Sequence, residues 1–191
     1  MKRILLIRHG ATAGNLRRCY IGRTDEPLCE QGVAQAERLR ELGWTVNCLF
    51  VSPALRTRRT AQIVFPGMEQ TTVDDLMETD FGKFEGKTAD ELSGDADYRT
   101  WVESGCTGPI PGGESPGDFK KRCCKAFTAV LNELPENSCA AFVIHGGGIM
   151  AILEAYASPP RSFYDCHIGN GEYVQCRFEN NSLYIEKSAI D

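Results

Sequence analysis

The amino-acid sequence predicts an α/β fold in which helices flank a mostly parallel central sheet. Three short apolar runs, at residues 4–7, 48–51 and 140–144, have the composition of buried strands. A segment with the apolar spacing of a helix follows each run, and this alternation is typical of a parallel sheet. No repeat or low-complexity segment interrupts the pattern, so residues 1–191 are expected to form a single domain.

The first two predicted helices have clear boundaries. The first covers the apolar positions between residues 33 and 42, and Gly43 is expected to end it. The second begins after Ser52-Pro53 and is expected to end before Pro66-Gly67.

Residues 76–116 break the alternation, because glycine, proline, acidic and aromatic residues dominate there. We interpret them as a rim or lid segment that passes over one edge of the sheet within the same domain. A helix over residues 119–134 follows, and a third strand-linked helix covers residues 149–156 after three glycines. Residues 173–178 and 183–185 are predicted to form a C-terminal hairpin that turns at Asn180-Asn181.

Charge and hydropathy exclude several classes of protein. The net charge is −5 and the pI is near 5.3, whereas nucleic-acid binders are usually basic. No apolar run approaches the roughly 18 residues that a membrane-spanning helix needs. The apolar run at residues 4–7 is also too short for a signal peptide. We therefore expect a cytoplasmic protein that binds neither nucleic acid nor membrane.

The nine cysteines are odd in number and form no CxxC motif. Free thiols in a reducing compartment explain them best. The neighbouring pairs Cys123–Cys124 and Cys166–His167 are the only alternatives for a metal site, and their spacing is poor for one. No metal is expected.

Charged side chains follow all three predicted parallel strands. Arg8 and His9 come after the first strand, Arg56 lies four residues past the end of the second, and His145 follows the third. Ligands of open α/β sheets bind at the carboxyl ends of strands. Two of the three histidines are thus expected to meet two arginines at one edge of the sheet.

These residue types suit a phosphoryl group. Arginine offers a planar fork of donors that matches phosphate oxygens, and the glycines at 146–148 would add backbone N–H groups at a helix start. A neutral His9 could attack phosphorus and form a phosphohistidine. The leaving oxygen needs a proton donor, for which Glu78 is the candidate, although Asp80 and Glu85 remain alternatives on composition.

The sequence also resembles the histidine phosphatase (phosphoglycerate mutase-like) superfamily. An Arg-His-Gly tripeptide alone would mean little, but the family's motifs occur here in the family's order. They are ILLIRHGATAGN at 4–15, GRTDEPL at 22–28, SPALR at 52–56, the Glu78 region at 76–86, PGGES at 111–115 and IHG at 144–146.

The resemblance implies a role for each matched residue. His9 would be the phosphorylated nucleophile, Glu78 the proton donor, and Asn15 a further phosphate contact. The resemblance also implies a phosphate pocket formed by Arg8, Arg56 and His145, and it implies that Gly22 and Gly146 bind the substrate as well. It implies that the protein needs neither a cofactor nor a metal and that its partner is a small phosphate monoester. A homodimer remains an open alternative.

Within the superfamily, the short length and the PGGES segment followed by Arg122 are most similar to α-ribazole phosphatases. Mutases carry a serine where Ile21 stands and a longer insertion with paired arginines, and this chain has neither. A broad-specificity phosphatase, a phosphoglycerate mutase and a non-catalytic phosphoprotein-binding member are the alternatives. Glu114 and Arg122 are expected to form an ion pair that ties down the rim segment, and His167 has no matching motif.

Overall fold

The computed structural model describes residues 1–189. Within them, six strands form one sheet in the order β3-β2-β4-β1-β5-β6, so the predicted α/β fold is confirmed. The four strands β1 to β4 pair in parallel, whereas β5 and β6 pair antiparallel at one edge. The strands are β1 Lys2–Arg8, β2 Cys48–Val51, β3 Thr71–Thr72, β4 Cys139–Ile144, β5 Tyr173–Glu179 and β6 Ser182–Ser188.

Helices cover both faces of this sheet. The α-helices are α1 Ala13–Leu16, α2 Glu30–Glu41, α3 Leu55–Val64, α4 Ala89–Leu92, α5 Ala96–Glu103, α6 Pro116–Glu133 and α7 Gly146–Tyr156. Three short 3-10 helices lie at Asp74–Leu76, Gly82–Phe84 and Tyr164–Cys166. Among the described residues, no helix combines the length and the apolar character that a membrane crossing requires.

The core explains why the strands are continuous apolar runs. In β1, Ile4 and Leu6 pack under α6 and α7, while Leu5 and Ile7 pack under α2 and α3. All four side chains are at most 3% exposed. Because successive strand residues point to opposite faces, a strand covered on both sides has no polar face.

Several local predictions are met within one or two residues. Gly43, with a φ of +64°, follows the last turn of α2. Cys29 is the N-cap residue of α2 and makes no side-chain capping bond. Asn180 and Asn181 both have positive φ, as a tight hairpin turn requires.

The rim segment, residues 76–116, contains more regular structure than the sequence analysis predicts. Two of the α-helices, α4 and α5, lie within it, and both begin with a capping side chain, Thr88 and Asp95. The segment has a small core of its own, which is aromatic and aliphatic and consists of Phe84, Leu92, Tyr98, Trp101 and Ile110.

Candidate active site

The ends of β1 and β4 place His9 and His145 side by side. Arg8 and Ile144 are register partners in these parallel neighbours, so the next residue of each strand stands at the same level. The two imidazole rings meet edge to face with centroids 5.2 Å apart. His9 is 4% exposed and His145 is fully buried.

The hydrogen bonds of His9 define which nitrogen can react. Its Nδ1 lies 2.7 Å from the carbonyl oxygen of Gly10. Because a carbonyl only accepts, Nδ1 carries the proton and Nε2 keeps its lone pair. Burial lowers the pKa of His9 well below its ordinary value, and the positive charges of Arg56 and Arg8 lower it further, against the bond to Gly10. His9 is therefore neutral at physiological pH.

His145 has a different set of partners. Its Nε2 lies 2.6 Å from the hydroxyl oxygen of Ser52, and its Nδ1 is buried without a partner among the described residues. Burial lowers the pKa of His145 well below its ordinary value, and the neighbouring charge of Arg56 acts in the same direction. Ser52 follows the second predicted strand, and its sequence context predicts no function for it.

Two guanidinium groups face the histidines. Arg56 is fully buried and donates through Nη1 and Nη2 to the carbonyl oxygens of Thr24 and Gly22, both at 2.8 Å. Arg8 donates through Nη1 to the carbonyl oxygen of Ile168 at 2.6 Å. Burial lowers the pKa of both guanidinium groups and the carboxylate of Glu78 opposes this, but arginine stays charged in proteins.

Glu78 lies at the start of α7. Its carboxylate accepts hydrogen bonds from the backbone N–H groups of Thr79, at 2.9 Å, and Gly147, at 3.0 Å. It is also the acidic group with the largest electrostatic influence on Arg8 and on Arg56. Gly147 makes its contact with Glu78 possible, because a Cβ atom there would lie 2.5 Å from the Glu78 carboxylate. A Cβ atom at Gly146 would lie 3.2 Å from the guanidinium of Arg8, which is a tight contact.

The two other acidic candidates, Asp80 and Glu85, are engaged elsewhere. The Asp80 carboxylate accepts from the N–H of Gly82 at 2.9 Å. The Glu85 carboxylate accepts from the backbone of Gly22, Arg23, Thr24 and Phe81 and so holds the loop that binds Arg56.

Gly22 lies beside the site with both of its backbone polar groups already used. Its N–H donates to Glu85 and its carbonyl accepts from Arg56. A Cβ atom at this position would lie 1.7 Å from the carbonyl oxygen of Thr79. Gly22 therefore supports Arg56, whereas the resemblance implies direct substrate binding.

Asn15 is fixed through its side-chain oxygen. That oxygen accepts from the N–H of Thr12 at 3.2 Å and from the amide of Asn170 at 3.1 Å. The Asn170 amide also lies within hydrogen-bond distance of the His9 carbonyl, at 3.2 Å. The Asn15 amide nitrogen therefore remains available to donate a hydrogen bond to a ligand. Asn170 is a site residue that the sequence analysis misses, since it follows no predicted parallel strand.

A family profile described as "Histidine phosphatase superfamily (branch 1)" matches residues 4–191. The chain belongs to this superfamily. A relative from Cronobacter sakazakii, named "Probable phosphoglycerate mutase GpmB", is 33% identical over 97% of this chain and 92% of its own length.

Solved structures of histidine phosphatases share the fold. The α-ribazole phosphatase from Shigella flexneri superimposes with a TM-score of 0.88 at 22% identity, covering 99% of this chain and 96% of the other. A phosphoglycerate mutase from Thermus thermophilus gives a TM-score of 0.76 at 29% identity, covering 99% of each chain. The fold is therefore common to relatives that carry different names.

The rim segment of this histidine phosphatase is anchored by the predicted ion pair. Arg122 donates from Nε and Nη2 to the two carboxylate oxygens of Glu114, at 2.6 and 2.7 Å. The same guanidinium donates to the backbone carbonyls of Asp75, Met77 and Glu78. Arg122 thus fixes the segment that carries Glu78, and the predicted ion pair is confirmed.

A cavity of about 690 Å³ opens beside Glu78 and Gly147. Lys120 lies at its border and is paired with Glu154 at 2.6 Å, and His167 also contributes. The aromatic side chains that line it come from distant parts of the sequence, and they are Tyr20, Phe81, Trp101, Phe119, Phe163 and Tyr164. Sequence spacing alone could not group them.

Proposed function

We propose that this histidine phosphatase hydrolyses phosphate monoesters through a phosphohistidine at His9. Arg8, Arg56, Asn15 and His145 bind the phosphoryl group, and Glu78 exchanges protons with the leaving oxygen and with water. The Gly146 end of α7 adds the positive end of a helix to the same position.

Three unpartnered nitrogens carry this proposal. Four buried side-chain nitrogens in the described part of the chain lack a hydrogen-bond partner, and three of them are Arg8 Nε, Arg56 Nε and His145 Nδ1. Leaving a buried donor unsatisfied costs about 1–3 kcal/mol. A phosphoryl group between the two histidines would supply acceptor oxygens to all three, which supports an anion as the natural occupant.

The reaction then takes two steps. The lone pair of His9 Nε2 attacks phosphorus and the bond from phosphorus to the ester oxygen breaks, while Glu78, in its protonated carboxyl form, donates its proton to that oxygen. Water next attacks the phosphohistidine and gives its proton to Glu78, which releases inorganic phosphate and restores His9. The arginines and the His145 donor stabilise the charge on the phosphoryl oxygens in both steps.

We infer that the leaving group is large and aromatic, and that the substrate is α-ribazole 5′-phosphate. The size of the cavity beside Glu78 and its aromatic lining support this choice, since a planar base can stack there. The one lysine of the lining is already paired with Glu154, so the cavity offers little to the carboxylate of phosphoglycerate. Fold similarity to an α-ribazole phosphatase agrees with this inference.

Trapping tests the chemistry. Wild-type protein quenched during turnover of a ³²P-labelled monoester is expected to carry acid-labile label, and His9→Ala is expected to carry none. His167→Ala serves as the control: His167 lines the cavity but is not part of the proposed phosphate pocket, so this variant should still carry acid-labile label. Equal labelling of His9→Ala and wild type would refute the assignment.

A substrate panel tests the leaving group. We expect kcat/KM for α-ribazole 5′-phosphate to exceed that for sugar, nucleotide and glycolytic monoesters by about a hundredfold, or roughly 2.7 kcal/mol. A flat profile would support a broad-specificity phosphatase. Isomerisation of 3-phosphoglycerate would instead support the activity named for the Cronobacter sakazakii relative.

A further inference from the structure

We propose that Ser52 is a positioning residue that holds His145 in the tautomer with its proton on Nδ1. The Nδ1–H group then faces the phosphoryl group as a donor. The catalytic consequence rests on the proposed function, whereas the tautomer itself can be measured without any substrate.

The hydrogen bonds around Ser52 determine the direction of its bond to His145. Ser52 is fully buried, and its hydroxyl oxygen receives the N–H of Ala54 at 3.4 Å. Two acceptors are within reach of its own proton, His145 Nε2 at 2.6 Å and the sulfur of Met77 at 3.7 Å. A thioether is a weak acceptor, so the proton goes to the imidazole.

The Thr57 hydroxyl does not donate its proton to the Ser52 hydroxyl. Its own hydroxyl lies 2.8 Å from the carbonyl oxygens of Ser52 and Ala54, and 3.5 Å from the Ser52 hydroxyl. The single Thr57 proton is therefore used by the carbonyls. Ser52 remains free to donate to His145.

A neutral imidazole has one N–H, so the acceptor role of Nε2 assigns the proton to Nδ1. His145 is kept neutral by complete burial and by the nearby charges of Arg56 and Arg8, which lower its pKa. Its Nδ1 is the buried nitrogen that has no protein partner. In the opposite tautomer this atom would present a lone pair to a phosphoryl oxygen, and the interaction would be repulsive.

The same logic gives His9 the opposite role. An accepting partner, the Gly10 carbonyl, leaves His9 Nε2 with a lone pair for attack. A donating partner, the Ser52 hydroxyl, leaves His145 with an N–H for binding. Two neutral histidines 5.2 Å apart thereby act as nucleophile and as donor.

The tautomer can be read directly by NMR. In protein labelled with ¹⁵N-histidine, pyrrole-type and pyridine-type nitrogens have separate chemical shifts, and only three rings need assignment. We expect wild-type His145 to show a pyrrole-type Nδ1, with His145→Asn and His167→Gln providing the assignments. A pyrrole-type Nε2 on His145 would overturn the proposal even if every activity measurement agreed with the proposed function.

Variants test the catalytic consequence. Ser52→Ala is expected to populate both His145 tautomers and to lower kcat on the order of 10- to 100-fold with less change in KM. Ser52→Thr, which keeps the hydroxyl, should restore both the spectrum and the rate. In a His145→Asn background the asparagine amide replaces the Nδ1–H donor. Adding Ser52→Ala to that background should therefore lower kcat only slightly further.

Two outcomes would refute the catalytic role. One is a Ser52→Ala enzyme with the tautomer changed but kcat within about twofold of wild type. The other is that Ser52→Ala lowers kcat in the His145→Asn background by the same factor as in the wild-type background. A wild-type protein that forms no phosphohistidine would refute the proposed function instead, and the NMR result on His145 would still stand.

Discussion

Burial keeps His9 and His145 neutral, and it also makes the fold sensitive to acid. The pKa of each lies well below the value of 6.5 that an unfolded chain would show, chiefly because of burial and then because of Arg56. Well above pH 6.5 both histidines are neutral in the native and in the unfolded chain, so their titration does not change the free energy of unfolding. Below pH 6.5 the histidines of the unfolded chain bind protons that those of the native state do not. The free energy of unfolding therefore decreases as the pH drops from 6.5 to the native pKa.

We therefore predict that replacing His9 flattens this dependence. His9→Asn should reduce the slope of unfolding free energy against pH by up to about 1.4 kcal/mol per pH unit below pH 6.5. Urea denaturation on both sides of pH 6.5 measures the slope. His167→Asn should reduce the slope less, because burial and Arg8 lower the pKa of His167 but not as far below its ordinary value as the pKa of His9. An unaltered slope in His9→Asn would mean that His9 is protonated in the native state.

Glu78 is the carboxylate that the geometry leaves beside the proposed position of the phosphoryl group. We predict that Glu78→Gln lowers kcat/KM for an alkyl phosphate on the order of 10²- to 10⁴-fold. An aryl phosphate with a good leaving group should lose much less, because its oxygen needs no proton to depart. Steady-state kinetics on both esters measures the difference.

Asp80→Asn provides the matched control for Glu78→Gln. The Asp80 side chain bonds the N–H of Gly82, and asparagine can keep that contact through its carbonyl oxygen. We expect near wild-type rates on both esters. A Glu78→Gln enzyme that loses the same factor on alkyl and aryl esters would contradict proton donation by Glu78.

One side chain from α6 holds the two ends of the rim segment together. Arg122 joins the Glu114 carboxylate to three backbone carbonyls on the chain that leads to Glu78. The side chains of Arg122 and Glu114 are only 17% and 15% exposed. Removing one partner would leave the other charge nearly buried and unpaired, which is more costly than losing a surface pair.

We predict that Arg122→Met destabilises the protein by about 2–4 kcal/mol and also lowers kcat, because Glu78 loses its support. Lys83→Met is the matched control, since Lys83 pairs with Asp95 and Asp97 at the exposed side of the same segment. That change should cost less than about 1 kcal/mol. Denaturant unfolding and kcat, measured together on both variants, decide the question. Equal effects would contradict the anchoring role of Arg122.

The elements that sequence reasoning found are those with a strong apolar pattern. The strands at 4–7, 48–51 and 140–144 are buried on both faces and could be recognised from composition. The two-residue strand Thr71–Thr72 is exposed and carries no apolar signal. The caps at Thr88 and Asp95 were a usable signal for α4 and α5, since both are favoured capping residues.

Sequence pattern could predict four catalytic candidates, because Arg8, His9, Arg56 and His145 follow strands that the apolar runs reveal. It left Glu78 open against Asp80 and Glu85, because no such strand precedes them. Arg8, His9 and His145 meet at one end of the sheet because β1 and β4 are neighbouring parallel strands. Their hydrogen-bond partners were not predictable. The roles of Ser52 and Asn170 depend on contacts across 93 and 155 or more residues of sequence, which no local pattern encodes.

The cavity that we propose for the leaving group is likewise a property of the complete fold. Phe163, which precedes the last 3-10 helix, lines the cavity together with residues of the rim segment, and the ammonium group of Lys120 lies 4.2 Å from the Phe163 ring centroid. Aromatic rings from separate segments can contact a planar base together only when the sheet positions them. Substrate preference should therefore depend on individual aromatic residues of this cavity.

We predict that Phe163→Leu lowers kcat/KM for α-ribazole 5′-phosphate about tenfold, since an aromatic contact contributes roughly 0.5–1.5 kcal/mol beyond its buried area. The rate on glycerol phosphate, which cannot reach the ring, should stay near that of wild type. Tyr184→Leu is the matched control, because Arg177 lies over that ring at 4.7 Å on the far strand of the sheet. Steady-state kinetics of both variants on both esters measures these ratios. Equal losses on the two esters in Phe163→Leu would show that the cavity does not bind the leaving group, whereas a selective loss would assign it that role.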